Sequence, residues 1–315
     1  MLVGGGVCAW LVYQAPFLGH DWIVGFAPEV LDDQYPPWIT LLLRPLTALP
    51  PRTGLAIING LSLSSAAVLC YRYGRLTFPE TRVPAVFALL FALVNPIPWI
   101  LLWLGQIEAI VMLGLISLPV GVPLLFAKPN IGPWSAISSR RNLLWMLVFL
   151  AVTLVLWGFW PDSIIAHTFI HRIPHPISIG WGSIHPAVGV LGLVLVLFTS
   201  RDPLRLMAAG SLVSPFVMPY HYYVLLPALG RVRGYRQGAL WAACLFLLLE
   251  IGIETLPVKI LGLALPLMVW VFLSPTLNPR AVLTDPDAVI HRIRASALRS
   301  AAWLAAKLTS HRKAT

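Results

Sequence analysis

Long apolar segments with few charges recur along the whole chain, separated by short basic or proline-rich stretches. This pattern is typical of transmembrane helices, which need about 20 apolar residues to cross a bilayer. It predicts nine spans, at residues 1–19, 54–71, 83–104, 107–126, 143–160, 183–200, 206–229, 239–256 and 258–274. Residues 38–51 are too short and too rich in proline to cross, and we interpret them as an interfacial or re-entrant helix.

The composition excludes an ordinary soluble protein, because 58% of the residues are hydrophobic and only 11% are charged. We expect an all-α, polytopic transmembrane helical bundle of about 8–10 spans in the plasma membrane. Residues 1–19 lack a basic start and a small-residue cleavage site, so they favour a span over a signal peptide. The three cysteines lie in apolar runs without paired spacing, so neither a disulfide framework nor a zinc site is indicated.

Basic residues cluster between the spans and set the orientation, because cytoplasmic loops are enriched in lysine and arginine. The clusters are Arg72, Arg75 and Arg82; Arg140 and Arg141; Arg201 and Arg205; and Arg231, Arg233 and Arg236. Placing them in the cytoplasm leaves residues 20–53, a turn near Gly105 and residues 161–182 outside. A single crossing over 206–229 would put Arg231 outside as well. We therefore favour two half-spans broken at Pro215 and Pro219.

The chain ends in a basic segment, which we separate as residues 275–315 from a membrane domain of residues 1–274. From Asp285 onward, apolar residues recur on one helical face and basic residues surround them. This pattern predicts an amphipathic cytoplasmic C-terminal helix that lies on the anionic lipids of the inner leaflet. With the loops, it accounts for the net charge of +10, so nucleic-acid binding is not needed to explain the charge.

Polar residues interrupt the late apolar segment 214–229, whose sequence is SPFVMPYHYYVLLPAL. Tyrosine and histidine at membrane depth are costly unless they face a wet cavity or a partner. We therefore expect His221, Tyr220 and Tyr222 to contact a ligand.

Carboxylates are few, and four of them lie in the first outer loop, GHDWIVGFAPEVLDDQYPPW. Asp21 is at the membrane boundary between His20 and Trp22, where partial desolvation suits a general base. Asp32 and Asp33 are better explained as solvated or helix-capping residues. Glu108 and Asp162 complete the acidic residues expected on the outer face.

Five sequence segments occur together in an order that resembles glycosyltransferase family 87. They are GHDW, QYPPWITLLLRPLTALP, WLGQIEAIVMLGLI, KPNIG and SPFVMPYHYYVLLPAL, within about residues 19–230. The resemblance implies a GT-C membrane mannosyltransferase that uses polyprenyl-phosphate mannose. It implies inverting transfer to a lipid or glycan acceptor on the extracytoplasmic face, and we expect no cofactor.

The resemblance also assigns roles to single residues. It places the catalytic base on Asp21 and the family's late histidine on His221, and we expect both residues to be catalytic. Its Gly-Gln pair falls on Gly105 and Gln106, and its Lys-Pro pair on Lys128 and Pro129.

Glycosyl transfer from a lipid phosphate needs a base for the acceptor hydroxyl and cations or hydrogen-bond donors for the departing phosphate. We expect Arg44 and Arg172 to be outer-face cations for that phosphate, although snorkelling arginines at the interface explain them equally well. The substrate-binding residues expected from the sequence are thus Gln106, Tyr220, Tyr222, Arg44, Arg172 and Lys128.

The outer segment 161–186 is rich in histidine, with His167, His171 and His175 at helical spacing. Pro174 breaks that helix and no carboxylate lies at a matching offset, so we prefer an interfacial lid to a metal site. Trp181 and His185 are weaker candidates for sugar contacts.

Two other classes of protein fit parts of the pattern. A lipid or solute transporter would also contain broken helices, but it should show matched repeats and midplane charges. A short, non-catalytic relative could serve as a subunit of a membrane assembly. Convergence of Asp21, Gln106 and His221 around one outer-facing cavity would favour an enzyme, whereas a dispersed arrangement or a filled cavity would favour a subunit.

Overall fold

The computed structural model describes residues 19, 21–22, 35–167, 175–199, 201–253 and 255–274. Every regular element within these residues is helical, as expected. The first predicted span, most of the first outer loop, Arg172 and the C-terminal tail lie outside the described residues.

The helices follow one another with short connections. The α-helices are α1 Pro37–Thr47, α2 Pro51–Thr77, α3 Val83–Leu93, α4 Pro96–Leu104, α5 Glu108–Ile116, α6 Val122–Leu125, α7 Arg140–Trp157, α8 Pro161–His167, α9 Pro186–Leu197, α10 Pro203–Val213, α11 Tyr235–Gly252, α12 Leu256–Gly262 and α13 Ala264–Phe272. Two 3₁₀ helices, Gly132–Ser138 and Pro219–Arg231, lie between α6 and α7 and between α10 and α11. Many of the α-helices begin with proline in the first turn, where its missing N–H is not needed.

Within the described residues, two helices, α2 and α7, are long and apolar enough to cross a membrane. The pair α3 and α4 forms a third candidate span with a bend of 40° between its halves. The other predicted spans form shorter or broken helices in the described residues, so the count of 8–10 spans stays a prediction. The predicted span 107–126, for example, is divided into α5 and α6.

The surface of α7 supports contact with lipid. Val155 is 85% exposed and Leu156 is 64% exposed, and only Asn142 and Thr153 of this helix are buried. An apolar surface of this extent on a helix of spanning length indicates a membrane rather than water.

The 3₁₀ helix Pro219–Arg231 lies at the centre of the bundle and is buried from Pro219 to Gly230. It packs closely on α2 through small residues: a Cβ on Gly230 would lie 2.2 Å from the carbonyl oxygen of Cys70. Close approach through small residues is the usual packing of helices in membranes. The Cys70 thiol donates to the Leu226 carbonyl at 3.2 Å and so adds a polar contact between the two helices.

The segment from α10 to the end of this 3₁₀ helix turns back on itself. It leaves α10 at Val213 and passes through Ser214–Met218 before the 3₁₀ helix begins. Arg231 Nη1 then lies 2.6 Å from Asp202 Oδ2, so the two ends of the segment meet. The path thus contains the break predicted within 206–229 and brings Arg231 back to Asp202.

Candidate functional site

Six polar side chains from distant parts of the sequence meet inside the bundle. This polar cluster consists of Asp21, Gln106, Glu108, Lys128, Asn130 and His221. Asp21 is half-buried, whereas Gln106, Glu108, Lys128 and His221 are all nearly inaccessible to solvent. Buried polar groups of this density need partners, and each of these residues contacts another member of the cluster.

Gln106 joins the acidic and basic parts of the polar cluster. Its Nε2 donates to Asp21 Oδ2, and its Oε1 accepts from Lys128 Nζ at 2.9 Å. Since an ammonium group only donates and a carboxylate only accepts, these two neighbours fix the orientation of the amide. One amide group thus separates the Asp21 carboxylate from the Lys128 cation.

Glu108 forms a buried ion pair with Lys128. Glu108 Oε1 lies 3.0 Å from Lys128 Nζ, and the side chains are 0% and 8% exposed, respectively. Glu108 Oε2 accepts no hydrogen bond from the described part of the chain. Because removing two charges from water costs several kcal/mol per ion, the bundle retains this pair at a substantial desolvation cost.

His221 is held from both sides of its ring. Its Nδ1 lies 3.2 Å from the Met218 backbone nitrogen and 2.9 Å from Asn130 Nδ2. The Met218 N–H can only donate, so Nδ1 is an acceptor and, in the neutral ring, the proton is on Nε2. Nε2 lies 3.8 Å from Glu108 Oε1, so the imidazole faces the buried carboxylate.

Two tyrosine rings flank the lysine. Lys128 Nζ lies 5.8 Å from the centre of the Tyr35 ring and 5.7 Å from the centre of the Tyr220 ring. Both distances are within the range of cation–π attraction. Tyr220 also packs edge-to-face on His221, with 4.8 Å between ring centres, which links the lysine environment to the histidine.

The turn between α4 and α5 presents Gln106 to Asp21. Gly105 ends α4 in the left-handed conformation, with φ of 75°, and its Cβ position would lie 2.7 Å from atoms of both Leu55 and Trp22. Only glycine combines that φ with so close an approach at low cost. The Gly19 N–H donates to the Trp103 carbonyl at 2.7 Å and ties the chain near Asp21 to the same turn.

The structure brings together five of the residues singled out from the sequence: Asp21, Gln106, Lys128, Tyr220 and His221. Tyr222 is fully buried in the core. Arg44 is exposed near the end of α1 and is not part of the polar cluster, and Arg172 lies outside the described residues.

Sequence reasoning missed Glu108 as a site residue, and it missed Asn130 and Tyr35 altogether. The family resemblance contains a signal for all three residues. Glu108 is in the segment WLGQIEAIVMLGLI, Asn130 in KPNIG and Tyr35 in QYPPWITLLLRPLTALP. The sequence places Glu108 on the outer face but indicates no role for it.

In the histidine-rich segment, the described residues Trp181 and His185 form local structural contacts. His185 Nδ1 accepts from the Ala187 N–H at 3.2 Å and caps α9, and Trp181 Nε1 donates to the Val213 carbonyl at 2.8 Å. These contacts explain both residues without a sugar. Among the described residues, no group of three or more His, Cys, Asp and Glu side chains is arranged to hold a metal, and His171 is not among them.

Comparison with known proteins gives no assignment: no protein-family model matches the chain, and neither a curated protein nor a solved structure matches it significantly.

Proposed function

We propose that the protein is a GT-C-like membrane glycosyltransferase of the plasma membrane. It transfers a sugar, mannose by resemblance, from a polyprenyl-phosphate donor to a lipid or glycan acceptor on the extracytoplasmic face. The observation that carries the proposal is the Gln106 amide, which joins the Asp21 carboxylate to the Lys128 ammonium. A base and a cation are the two groups that this reaction needs side by side.

The proposed reaction is a direct displacement at the anomeric carbon. The acceptor hydroxyl oxygen attacks that carbon while Asp21 takes the hydroxyl proton. The bond from the anomeric carbon to the phosphate oxygen breaks, and its electron pair leaves with the phosphate. Lys128 then stabilises the charge on the departing phosphate. One carboxylate base suffices for such an inversion, since no glycosyl-enzyme intermediate forms.

The contacts of His221 favour a positioning role over a direct catalytic one. Its link to Asp21 runs through Glu108, Lys128 and Gln106, and its Nδ1 is occupied by Met218 and Asn130. A ring held this way faces Glu108, which in turn pairs with Lys128. Tyr220, beside both Lys128 and His221, is the tyrosine best placed to meet the donor.

The experiment is transfer of label from radiolabelled polyprenyl-phosphate mannose in membranes that contain the full-length protein and their own acceptors. We expect Asp21→Asn to reduce the rate by about 100-fold or more, the usual loss when a general base is removed. Asp162→Asn is the matched control, because Asp162 is an exposed outer-loop carboxylate on α8, and it should retain the wild-type rate.

Two results would contradict the proposal. Equal rates for the wild type and Asp21→Asn would rule out the base assignment. No transfer above that of membranes lacking the protein, with this donor and with polyprenyl-phosphate donors of other sugars, would rule out the activity.

A further inference from the structure

A basic cavity of about 620 Å³ lies where α2 ends. Its walls are Thr77 and Phe78, at the end of α2, and residues 231–236, which join the buried 3₁₀ helix to α11. Three of its lining residues are arginines: Arg231, Arg233 and Arg236. The cavity is separate from the polar cluster and has no part in the proposed transfer reaction.

The cavity and the polar cluster lie at opposite ends of α2. At the start of this helix, Trp22 Nε1 donates to the Pro51 carbonyl at 3.1 Å, so Asp21 belongs to that end. The helix has 27 residues, which correspond to about 40 Å at 1.5 Å per residue. That length spans a bilayer, so the cavity faces the other side of the membrane from Asp21.

The charges of the cavity are only partly compensated. Arg231 pairs with Asp202 at 2.6 Å. The Arg233 guanidinium lies 5.5 Å from the centre of the Phe78 ring, and that of Arg236 lies 5.9 Å from the Tyr235 ring. Neither Arg233 nor Arg236 forms an ion pair with a carboxylate in the described part of the chain. An anion entering the cavity would therefore meet two guanidinium groups without a competing acid.

The surface beside the cavity is apolar and aromatic. Leu76, one residue before the cavity wall, is 67% exposed, and Tyr235 is 59% exposed. Val83, at the start of α3, is 58% exposed. Exposed tyrosine beside exposed aliphatic residues at the end of a span is typical of the boundary between headgroups and acyl chains.

We propose that this cavity binds the phosphate headgroup of an anionic membrane lipid. Arginine suits this ligand because its planar guanidinium can donate two parallel hydrogen bonds to phosphate oxygens. A free phosphate would satisfy the arginines equally well. The lipid is favoured because its acyl chains would cover the apolar surface around Leu76 and Val83. Arg72 and Arg75 lie at the same end of α2 as the cavity. The bound lipid anchors this end of the helix in the leaflet that contains the lipid.

The test is a titration of the purified full-length protein in neutral detergent with phosphatidylglycerol, with native mass spectrometry counting the bound lipid. We expect saturable binding of phosphatidylglycerol and much weaker binding of phosphatidylcholine. The double variant Arg233→Gln with Arg236→Gln should raise the apparent dissociation constant about 30-fold, at about 1 kcal/mol for each arginine near a lipid surface.

The matched control is Arg140→Gln with Arg141→Gln, which removes the same charge from two exposed arginines at the start of α7. It should bind phosphatidylglycerol like the wild type. An equal loss of affinity for phosphatidylglycerol in both double variants would show that net charge alone attracts the lipid. Wild-type affinity in both double variants would show that the cavity is not the site. Either result overturns the proposal. Thermal unfolding of both variants checks that they remain folded.

A competition experiment distinguishes the two sources of phosphate. Inorganic phosphate at millimolar concentration should leave the bound lipid in place. Displacement of the lipid by inorganic phosphate alone would show that the cavity is a site for soluble anions and would overturn the assignment to a lipid.

Discussion

At the scale of single residues, the unusual feature is a fully buried glutamate paired with a buried lysine. Replacing such a pair by apolar residues is often neutral or stabilising, whereas removing one partner leaves an uncompensated charge. Stability alone therefore does not explain why Glu108 and Lys128 are charged. A need for a cation beside Asp21 does explain it, and this supports the proposed reaction.

This view predicts a marked asymmetry between single and double substitutions. Lys128→Met should lower the free energy of unfolding by about 3–5 kcal/mol, because Glu108 then remains buried without its cation. Adding Glu108→Gln should recover much of that loss. Unfolding in mixed micelles measures both changes, with Lys259→Met, at a partly exposed position, as the control. If the losses in the free energy of unfolding from the two substitutions instead add, the unpaired Glu108 charge is not what destabilises Lys128→Met.

The sequence could identify four of the six residues of the polar cluster but not the contacts between them. Asp21 and His221 stood out as polar residues in an apolar context, and Gln106 and Lys128 stood out through the resemblance. Glu108 did not, since an acid in the first turn of a helix is ordinarily explained by the helix dipole. Its pairing with Lys128 depends on how residues 117–131 fold back, and no local pattern in that stretch specifies the path.

At the scale of elements, apolar runs predicted where helices lie better than where they break. The run 107–126 was predicted as one span, yet a Cβ on Gly121 would lie 2.3 Å from the Gly114 carbonyl oxygen. The chain therefore folds back at this point, and it does so because glycine permits the contact. The break within 206–229 was predictable, since Pro215 and Pro219 disfavour a continuous helix and Arg231 has to return to the basic side.

The returning segment depends on both oxygens of Asp202. Oδ1 accepts from the Leu204 and Arg205 N–H groups and caps α10, while Oδ2 accepts from Arg231. Asp202→Asn should keep the cap and lose the ion pair, whereas Asp202→Ala should lose both. We expect Asp202→Ala to be less stable than Asp202→Asn by about 1 kcal/mol, the usual contribution of an N-cap.

Thermal unfolding of the two variants in detergent checks this order. Arg231→Gln should match Asp202→Asn, because both remove only the ion pair. If Asp202→Asn is as stable as the wild type, the Arg231 contact contributes nothing to closing the segment. If Asp202→Ala is as stable as Asp202→Asn, the Asp202 cap does not stabilise α10.

At the scale of the whole molecule, the polar cluster and the basic cavity distinguish the two ends of α2. The polar cluster adjoins the start of α2, and the basic cavity adjoins its end. Arg72, Arg75 and Arg82 are at the same end as the cavity, which the positive-inside rule places in the cytoplasm. In the proposed orientation, the polar cluster lies at the outer end of α2, on the same side as the lipid-linked donor.

Cysteine labelling in intact cells tests on which side of the membrane each end of α2 lies, and whether the segment 203–231 returns to the side from which it starts. In a background without native cysteines, single cysteines replace Leu49, just before α2, and Leu76, near its end; both leucines are exposed. A third cysteine replaces the exposed Arg233. A membrane-impermeant maleimide should label Leu49→Cys from outside, and it should label Leu76→Cys and Arg233→Cys only after permeabilisation. If Leu49→Cys and Leu76→Cys are labelled from the same side, α2 does not cross the membrane. If Arg233→Cys is labelled from the side opposite to Leu76→Cys, residues 203–231 cross it completely, and the pairing of Asp202 with Arg231 cannot form.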